Sequence, residues 1–426
     1  MAKRRIIGIM TGNSMDAVDL VLTEFNAGNM HDIYALSQPY PLEQKKEINE
    51  LRDKVIAQKI CADELIKNEE FLRIHERYVR GVADAVKLML QQHHIDPKSI
   101  DAIGFHGKTL DHNPPSRARI THTQAFTTQM GSAQRLADLT GIPVIGDFRS
   151  ALIKKGYEGA PLAGPHNAHV AQIEGDGIYI NAGNTSNLAV IENKKVSESW
   201  DIGPFNEYTD NFVLKICGEM MDKNGHYGAK GKLLPSWLQF LFDQGRAFYE
   251  MEPPKSGDPA FYRTAEIWQK ANEKFGVLHS KQQAFYDVIR TLEYFAAYLT
   301  VHALSRVHKN QATKLILFGG GWKNPLVWQS FENLLRSDGY VLPEHESLFA
   351  ELRRQAVHDT IVYSEYGTYM EARLFAELAE FYLDKRGWPL AEVENPLILG
   401  RRKVPDGGPV DDYLSAAARG WQKKKE

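Results

Sequence analysis

A strand, a tight polar turn and a second strand occur twice in this chain, and that duplication narrows the folds open to it. The first copy runs from Arg5 to Phe25, RIIGIMTGNSMDAVDLVLTEF, with apolar runs of strand length at Ile6 to Met10 and Val18 to Leu22. Within its turn Gly12 frees the backbone to approach a ligand, and Asn13 and Ser14 offer short donors. Asp16 and Asp19 supply carboxylates able to hold a metal through water. The second copy, Asp176 to Ile191, DGIYINAGNTSNLAVI, again places a Gly-Asn-Thr-Ser-Asn turn between two strands. Such residues dominate any hairpin turn for local reasons, so one copy alone would say little. No Lys-Ser or Lys-Thr pair opens a helix at the first turn, so phosphate would be bound there by a hairpin and not by a Walker loop.

A third feature joins them. Lys314 to Pro325, KLILFGGGWKNP, is an apolar strand that empties into Gly319, Gly320 and Gly321 before a helix. Two polar hairpins and a late triple-glycine turn resemble the parts of the actin, hexokinase and heat-shock ATPase architecture. There each hairpin belongs to one lobe and grips phosphates, while the glycine turn lets adenosine lie against backbone. With 426 residues the chain is too long for one core of ordinary size, which suits two lobes. That resemblance implies an α/β fold, a two-lobed actin-like ATPase (ribonuclease H-like) with nucleotide and sugar in the interlobe cleft. Residues 1–142 and about 366–398 would form lobe I and 143–365 lobe II, with a helical insertion at about 230–280. Residues 399–426 would be a peripheral tail.

Composition sets the outer limits. Hydrophobic content of 43% and charged content of 25% describe a soluble globular protein, and a net charge of -3 gives no global attraction to nucleic acid or anionic membrane. Only Cys61 and Cys217 occur, which argues against a disulfide framework. The basic start MAKRR precedes an apolar run that Thr11 to Asp19 interrupts before signal-peptide length, and no apolar stretch approaches the ~20 residues of a membrane span. A cytoplasmic protein without nucleic-acid or membrane partners is expected.

Between the motifs, His31 to Leu36 reads as a third strand and Leu42 to Ile60 as a surface helix. Phe71, Ile74, Tyr78, Val82, Val86 and Met89 place one core stripe on a long helix. Ile100 to Phe105 is a buried strand ending at His106, where ligands gather in open α/β sheets; His106 is read as a ligand contact, against the alternative of a hydrogen-bonded turn residue. Pro115 to Thr127 reads as a loop. The strand Pro143 to Gly146 delivers Asp147 and Arg149, which alternation in extended chain would place on one side. They form either a surface ion pair or a proton-handling carboxylate oriented by a guanidinium. Gly159, Pro161 and His166 lie in an irregular segment suited to a cleft. Asp201 to Asn206 follows the second hairpin, with Asp210 opening a helix; Asp201 would bind a metal through water or a hydroxyl-rich ligand. Met370 begins a late helix that would return to the first lobe.

Taken in order, these motifs resemble the anhydro-N-acetylmuramic acid kinases, a branch of the actin-like ATPase superfamily, over most of residues 6 to 383. The family's first phosphate turn appears as Gly12-Asn13-Ser14-Met15-Asp16-Ala17-Val18-Asp19, and its Ser-His-Gly-Gln-Thr segment as Phe105 to Thr109. Asp147 to Arg149, Gly159 to Leu162, Gly319 to Pro325 and the pair Glu371 and Ala372 are intact; Asp201 to Asn206 matches the Asp-Thr-Gly-Pro-Gly-Asn motif. Asn13, Ala17, Lys108, Asn184 and Phe205 depart from the pattern, and Ala17, Asn184 and Phe205 add bulk where backbone should approach ligand. The resemblance implies ATP and Mg2+ as cofactors, with phosphorylation of a 1,6-anhydro sugar on O6 while water opens the bridge. It implies Asp147, Arg149 and Glu371 as catalytic residues and Asp147 as the base. Nucleotide would be held by residues 12–19, Asn181, Gly183, Asn184, Thr185, Gly203, Gly319 to Gly321 and Asn324. His106, Thr109, Gly159, Pro161, His166, Asp201 and Asn206 would meet the sugar, with Asp16 and Asp201 near the metal. Another anhydro sugar such as levoglucosan, a non-catalytic nucleotide- or sugar-binding role and a homodimer stay open.

Overall fold

The computed structural model describes residues 3–12, 15–257, 264–275, 282–308, 314–355 and 360–417. At its start β1 (Arg4–Thr11), β2 (Ala17–Asn26) and β3 (Asn29–Pro39) form an antiparallel meander. Then β4 (Ala102–Phe105) pairs parallel with β1, and β7 (Val144–Gly146) parallel with β4. Between β4 and β7 the chain makes β5 (Lys108–Asn113) and β6 (Phe126–Met130), an antiparallel pair in a separate small sheet. Farther on, β8 (Gly177–Ala182), β9 (Thr185–Glu192) and β10 (Lys195–Pro204) form a second meander. There β11 (Lys314–Phe318) pairs parallel with β8, and β12 (Thr360–Tyr363) parallel with β11.

Both large sheets thus run third, second, first, fourth, fifth strand, in the orders β3-β2-β1-β4-β7 and β10-β9-β8-β11-β12. That is the ribonuclease H-like arrangement used twice. The internal repeat extends well beyond the two hairpins legible in the sequence.

The chain divides into two compact units, Met1–His166 with Tyr369–Glu426, and Asn167–Thr368. The expected boundary at residue 142 falls too early, because Val144–Gly146 is the fifth strand of the first sheet and carries Asp147 with it. Nor is the tail peripheral: β13 (Arg401–Lys403) pairs with β7, and β14 (Leu414–Ala417) with β6. The expected loop at 115–127 contains a helix, Pro115–Thr121, started by a proline at its first position. The buried backbone N–H of Ser116 there donates to the Glu158 carboxylate at 3.0 Å, a partner that sequence proximity does not reveal. Asp210 lies inside a helix that opens at Asn206. The Pro235–Tyr249 helix, read as an insertion, sends Trp237, Leu238, Phe240, Leu241 and Phe242 into the second unit's main core. Among the described residues no helix is long and apolar enough to cross a membrane.

In the first unit the Glu69–Gln92 helix buries Phe71, Ile74, Tyr78, Val82, Val86 and Met89, the stripe its spacing predicts. The Met370–Leu383 helix packs still closer to the sheet. Gly8 and Gly104 are register partners on β1 and β4, and a Cβ on them would stand 1.9 Å from the Ala372 oxygen and 2.0 Å from the Phe375 oxygen. Helix backbone rests directly on strand backbone there, which only residues without side chains allow. Gly8→Ala should therefore destabilise the protein by about 3 kcal/mol or more, as overpacking against an unyielding backbone does, read as a lower denaturant midpoint at unchanged slope.

Candidate active site

Three parallel strands end together in the first unit. Ile9 of β1 is level with Phe105 of β4, and Phe105 with Gly146 of β7. The chain leaving each strand, toward Gly12, His106 and Asp147, therefore emerges at one sheet edge, the carboxyl-end position where such sheets bind ligands.

At the first hairpin, Met10 pairs with Asp19 and Thr11 with Val18, and Met15 is buried with a left-handed backbone. Asn13 and Ser14 lie outside the described residues. The Gly12 carbonyl accepts hydrogen bonds from the Met15 amide at 3.2 Å and the Lys108 ammonium at 3.1 Å. Lys108 is buried, so this departure from the family's glutamine sets a positive charge under the turn. Asp16 is exposed and pairs with Lys45 at 2.5 Å. The Asp19 carboxyl is raised above the usual aspartate value by burial, against the Ser37 hydrogen bond, and further by the charge of Asp16. Two neighbouring hard carboxylates fit Mg2+, which takes one or two protein carboxylates and completes its shell with water and phosphate. Among the described residues no three His, Cys, Asp or Glu side chains gather to hold a metal unaided. Ala17 opens β2 opposite Pro39.

His106 is buried and has a protein partner at each ring nitrogen. Its Nδ1 lies 2.9 Å from the Gly107 carbonyl, which can only accept, and its Nε2 lies 2.8 Å from Arg149 Nε, which can only donate. The ring is thereby fixed as the neutral Nδ1–H tautomer, and burial, with the Arg149 charge second, holds its pKa down at about 3. Nδ1–H anchors the ring to the Gly107 carbonyl, and Nε2 aims Arg149. The Gly159 carbonyl takes the Arg149 Nη1 at 2.7 Å, so Gly159 also serves the guanidinium. Pro161 is buried, and Thr109 is half-buried on β5 opposite Gln129. His166 is fully buried with Nδ1 2.5 Å from the Glu377 carboxylate, in the body of the first unit.

Asp147 adopts a left-handed backbone, φ 61°, and Arg149 lies in the helical region, so alternation along extended chain does not apply to them. Of the two alternatives for this pair, the surface ion pair is not formed, since Asp147 pairs with Arg401 instead. Asp147 Oδ2 lies 3.2 Å from Nε of Arg401, while its Oδ1 is buried beside Ser150. Burial raises the Asp147 carboxyl above the usual aspartate value, opposed by Ser150 and then by Arg401. Glu371 opens the Met370–Leu383 helix and is accessible to solvent. Crowding by protein atoms raises its carboxyl, the Asp19 charge adds to this and Arg149 opposes it, which ties hairpin, guanidinium and helix start into one charge cluster.

In the second unit the Gly183–Asn184 turn closes on the helix that begins at Asn206. The Asn184 carbonyl accepts from the amides of Phe205 at 2.7 Å and Glu207 at 3.1 Å, and the Gly183 carbonyl from Asn206 at 3.2 Å. Asn181 and Thr185 flank this turn on β8 and β9. Phe205, expected to obstruct a ligand, points into the core: its ring meets Trp322 edge-on at 5.0 Å, and a Cβ on Gly321 would stand 2.5 Å from it. Gly319 has φ 98° and backs onto Ala182, whereas nothing lies within 4 Å of a Cβ on Gly320. Gly203 packs against Tyr249 and Leu299. Asn324 is a helix cap, its Oδ1 accepting from the Leu326 amide at 3.0 Å and its Nδ2 donating to Glu293 at 2.7 Å. Asp201 is buried and accepts from Ser256 Oγ at 3.0 Å and the Gly257 amide at 2.8 Å, so its carboxylate fastens a turn.

The family model described as anhydro-N-acetylmuramic acid kinase matches residues 4–385. Over 370 residues the chain is 30% identical to the anhydro-N-acetylmuramic acid kinase of Actinobacillus pleuropneumoniae serotype 7 (strain AP76), covering 84% of this chain and 94% of that relative. The kinase of the same name from Pseudomonas fluorescens (strain Pf0-1) is 29% identical over 334 residues, 77% of this chain and 84% of the relative. That of Vibrio vulnificus (strain CMCP6) is 27% identical over 392 residues, 92% and 95% of the two chains.

Proposed function

Because the chain belongs to the anhydro-N-acetylmuramic acid kinase family, we propose that it transfers the γ-phosphoryl group of ATP to O6 of 1,6-anhydro-N-acetylmuramic acid while water opens the anhydro bridge. The observation that carries this reading is Asp147: a largely buried carboxylate at the end of a parallel strand, raised in pKa, with Oδ2 paired to Arg401 and Oδ1 buried beside Ser150.

Opening the bridge breaks the bond from C1 to O6 and forms one from water oxygen to C1. O6 takes the γ-phosphoryl group, ADP leaves, and the water proton passes to Asp147 Oδ1. Arg149, aimed by His106 and Gly159, holds positive charge beside the reacting oxygens and opposes the rise that burial and Asp19 impose on the Glu371 carboxyl. Glu371 contacts the sugar or orients the water. The Gly12 turn with Lys108 faces the phosphates, and Gly320, open on its Cβ side, is the place in the second unit where adenosine lies against backbone. Asp16 and Asp19 would hold Mg2+, whose chemistry is to neutralise phosphate charge during transfer. Asp201 and Asn324 contribute by holding their turns.

An ADP-release assay across 1,6-anhydro-N-acetylmuramic acid, levoglucosan and ordinary hexoses tests the reading. ADP and a sugar 6-phosphate should form in equal amounts with the anhydro-muramic sugar. ADP release with levoglucosan alone would move the assignment to another anhydro sugar, and release with none would leave a binding protein.

A further inference from the structure

The family match ends at residue 385, yet the chain continues and returns to the proposed active site. Arg401 on β13 is the register partner of Gly146, the residue immediately before Asp147. Its Nε reaches Asp147 Oδ2 at 3.2 Å. The segment is anchored on both sides of this contact. Gly400, at φ 112°, lies so close to β7 that a Cβ would stand 2.8 Å from Ile145. Beyond Arg401, Asp412 accepts from the Gln134 amide at 3.0 Å and from Ser132 Oγ, which caps the Ala133–Thr140 helix, and β14 then pairs with β6.

We propose that this C-terminal strap is a working part of the active site, in which Arg401 is a positioning residue that holds Oδ2 of Asp147 and leaves Oδ1 to take the water proton. The proposal rests on the reading of Asp147 as the base. An ion pair at one oxygen biases the carboxylate toward presenting the other to the water, and the guanidinium favours the ionised form that the base must have. The other charge acting on Asp147 is Lys154, on the Ser150–Lys154 helix; His106, at the end of the neighbouring strand β4, is neutral. The Arg401 side chain is 66% exposed, so solvent screens the pair and its effect is graded and not all-or-none.

The test compares pH profiles of kcat/KM for wild type, Arg401→Gln, Arg401→Lys and Arg402→Gln, with Asp147→Asn alongside and the thermal midpoint of each variant recorded. Arg401→Gln should move the acidic limb to higher pH, so that activity on that limb falls about three- to tenfold, the size of a shift of half to one pKa unit, while the midpoint stays near wild type. Arg401→Lys should restore most of it. Arg402→Gln removes the same charge one residue along the strand and should leave the limb in place. Carbon-13 titration of Asp147 in the substrate-free enzyme should show the same upward movement in Arg401→Gln. An unmoved limb in Arg401→Gln, or an equal movement in Arg402→Gln, overturns the proposal while leaving the base assignment intact. Ordinary turnover in Asp147→Asn overturns the base assignment itself.

Discussion

Asp147→Asn is expected to bind ATP and the anhydro sugar as the wild type does and to turn over at least about 100-fold more slowly, the low end of what a general base contributes. The substitution keeps shape and burial but removes the lone pair that accepts the water proton. Water then has to attack C1 unaided, and O6 is not released to the phosphoryl group. In the wild type the base works only when ionised. Its folded pKa lies above the ordinary aspartate value because burial disfavours the charge. Activity is therefore full above that raised value and is lost as pH falls through it, at a less acidic pH than an exposed aspartate would give. In labelled water the product should carry the label on the anomeric oxygen and none in phosphate. Label in phosphate would mean that water attacks phosphorus, and an Asp147→Asn enzyme with ordinary rates would mean that another group, with Glu371 the next candidate, removes the proton.

Asp16→Asn should lose turnover by about 100- to 1,000-fold, with sugar affinity by calorimetry unchanged and the magnesium requirement shifted to higher concentration. Phosphoryl transfer depends on charge neutralisation and placement, and Asp16 is the exposed carboxylate of the hairpin. Removing its charge also relieves Asp19, whose carboxyl Asp16 helps to raise, and frees Lys45. Neither change compensates for the missing anion. Near-normal turnover at ordinary magnesium would reduce the hairpin to a turn.

What local sequence carries is period and turn chemistry, and those features were legible without coordinates. Alternating and continuous apolar runs marked β1, β2, β8, β9 and β11; Gly, Asn and Asp marked their turns; three- and four-residue spacing marked the Glu69–Gln92 helix. From these the doubled hairpin and the α/β class followed, and ordered motifs led to the family. Roles that depend on partners distant in sequence were hidden. His166 gave no sign of its buried contact with Glu377, Asn324 and Asp201 looked like ligand contacts until Glu293 and Ser256 occupied them, and Phe205 looked obstructive until Gly321 and Trp322 made room in the core.

Gly8 and Gly104 carry a weak signal, glycine inside strands, that acquires meaning only when the Met370–Leu383 helix lies across them. Lys108 was visible as a departure, but its charge matters only because β5 brings it beneath Gly12. The sequence by itself determined which segments become strands and helices and which turns are rich in donors, since those depend on neighbours a few residues away. Only the tertiary structure decided that Arg149 leans on His106 and that Arg401 reaches Asp147 from 254 positions along the chain. Such pairs are made by sheet register and close packing, which set the distances between side chains that no local pattern encodes.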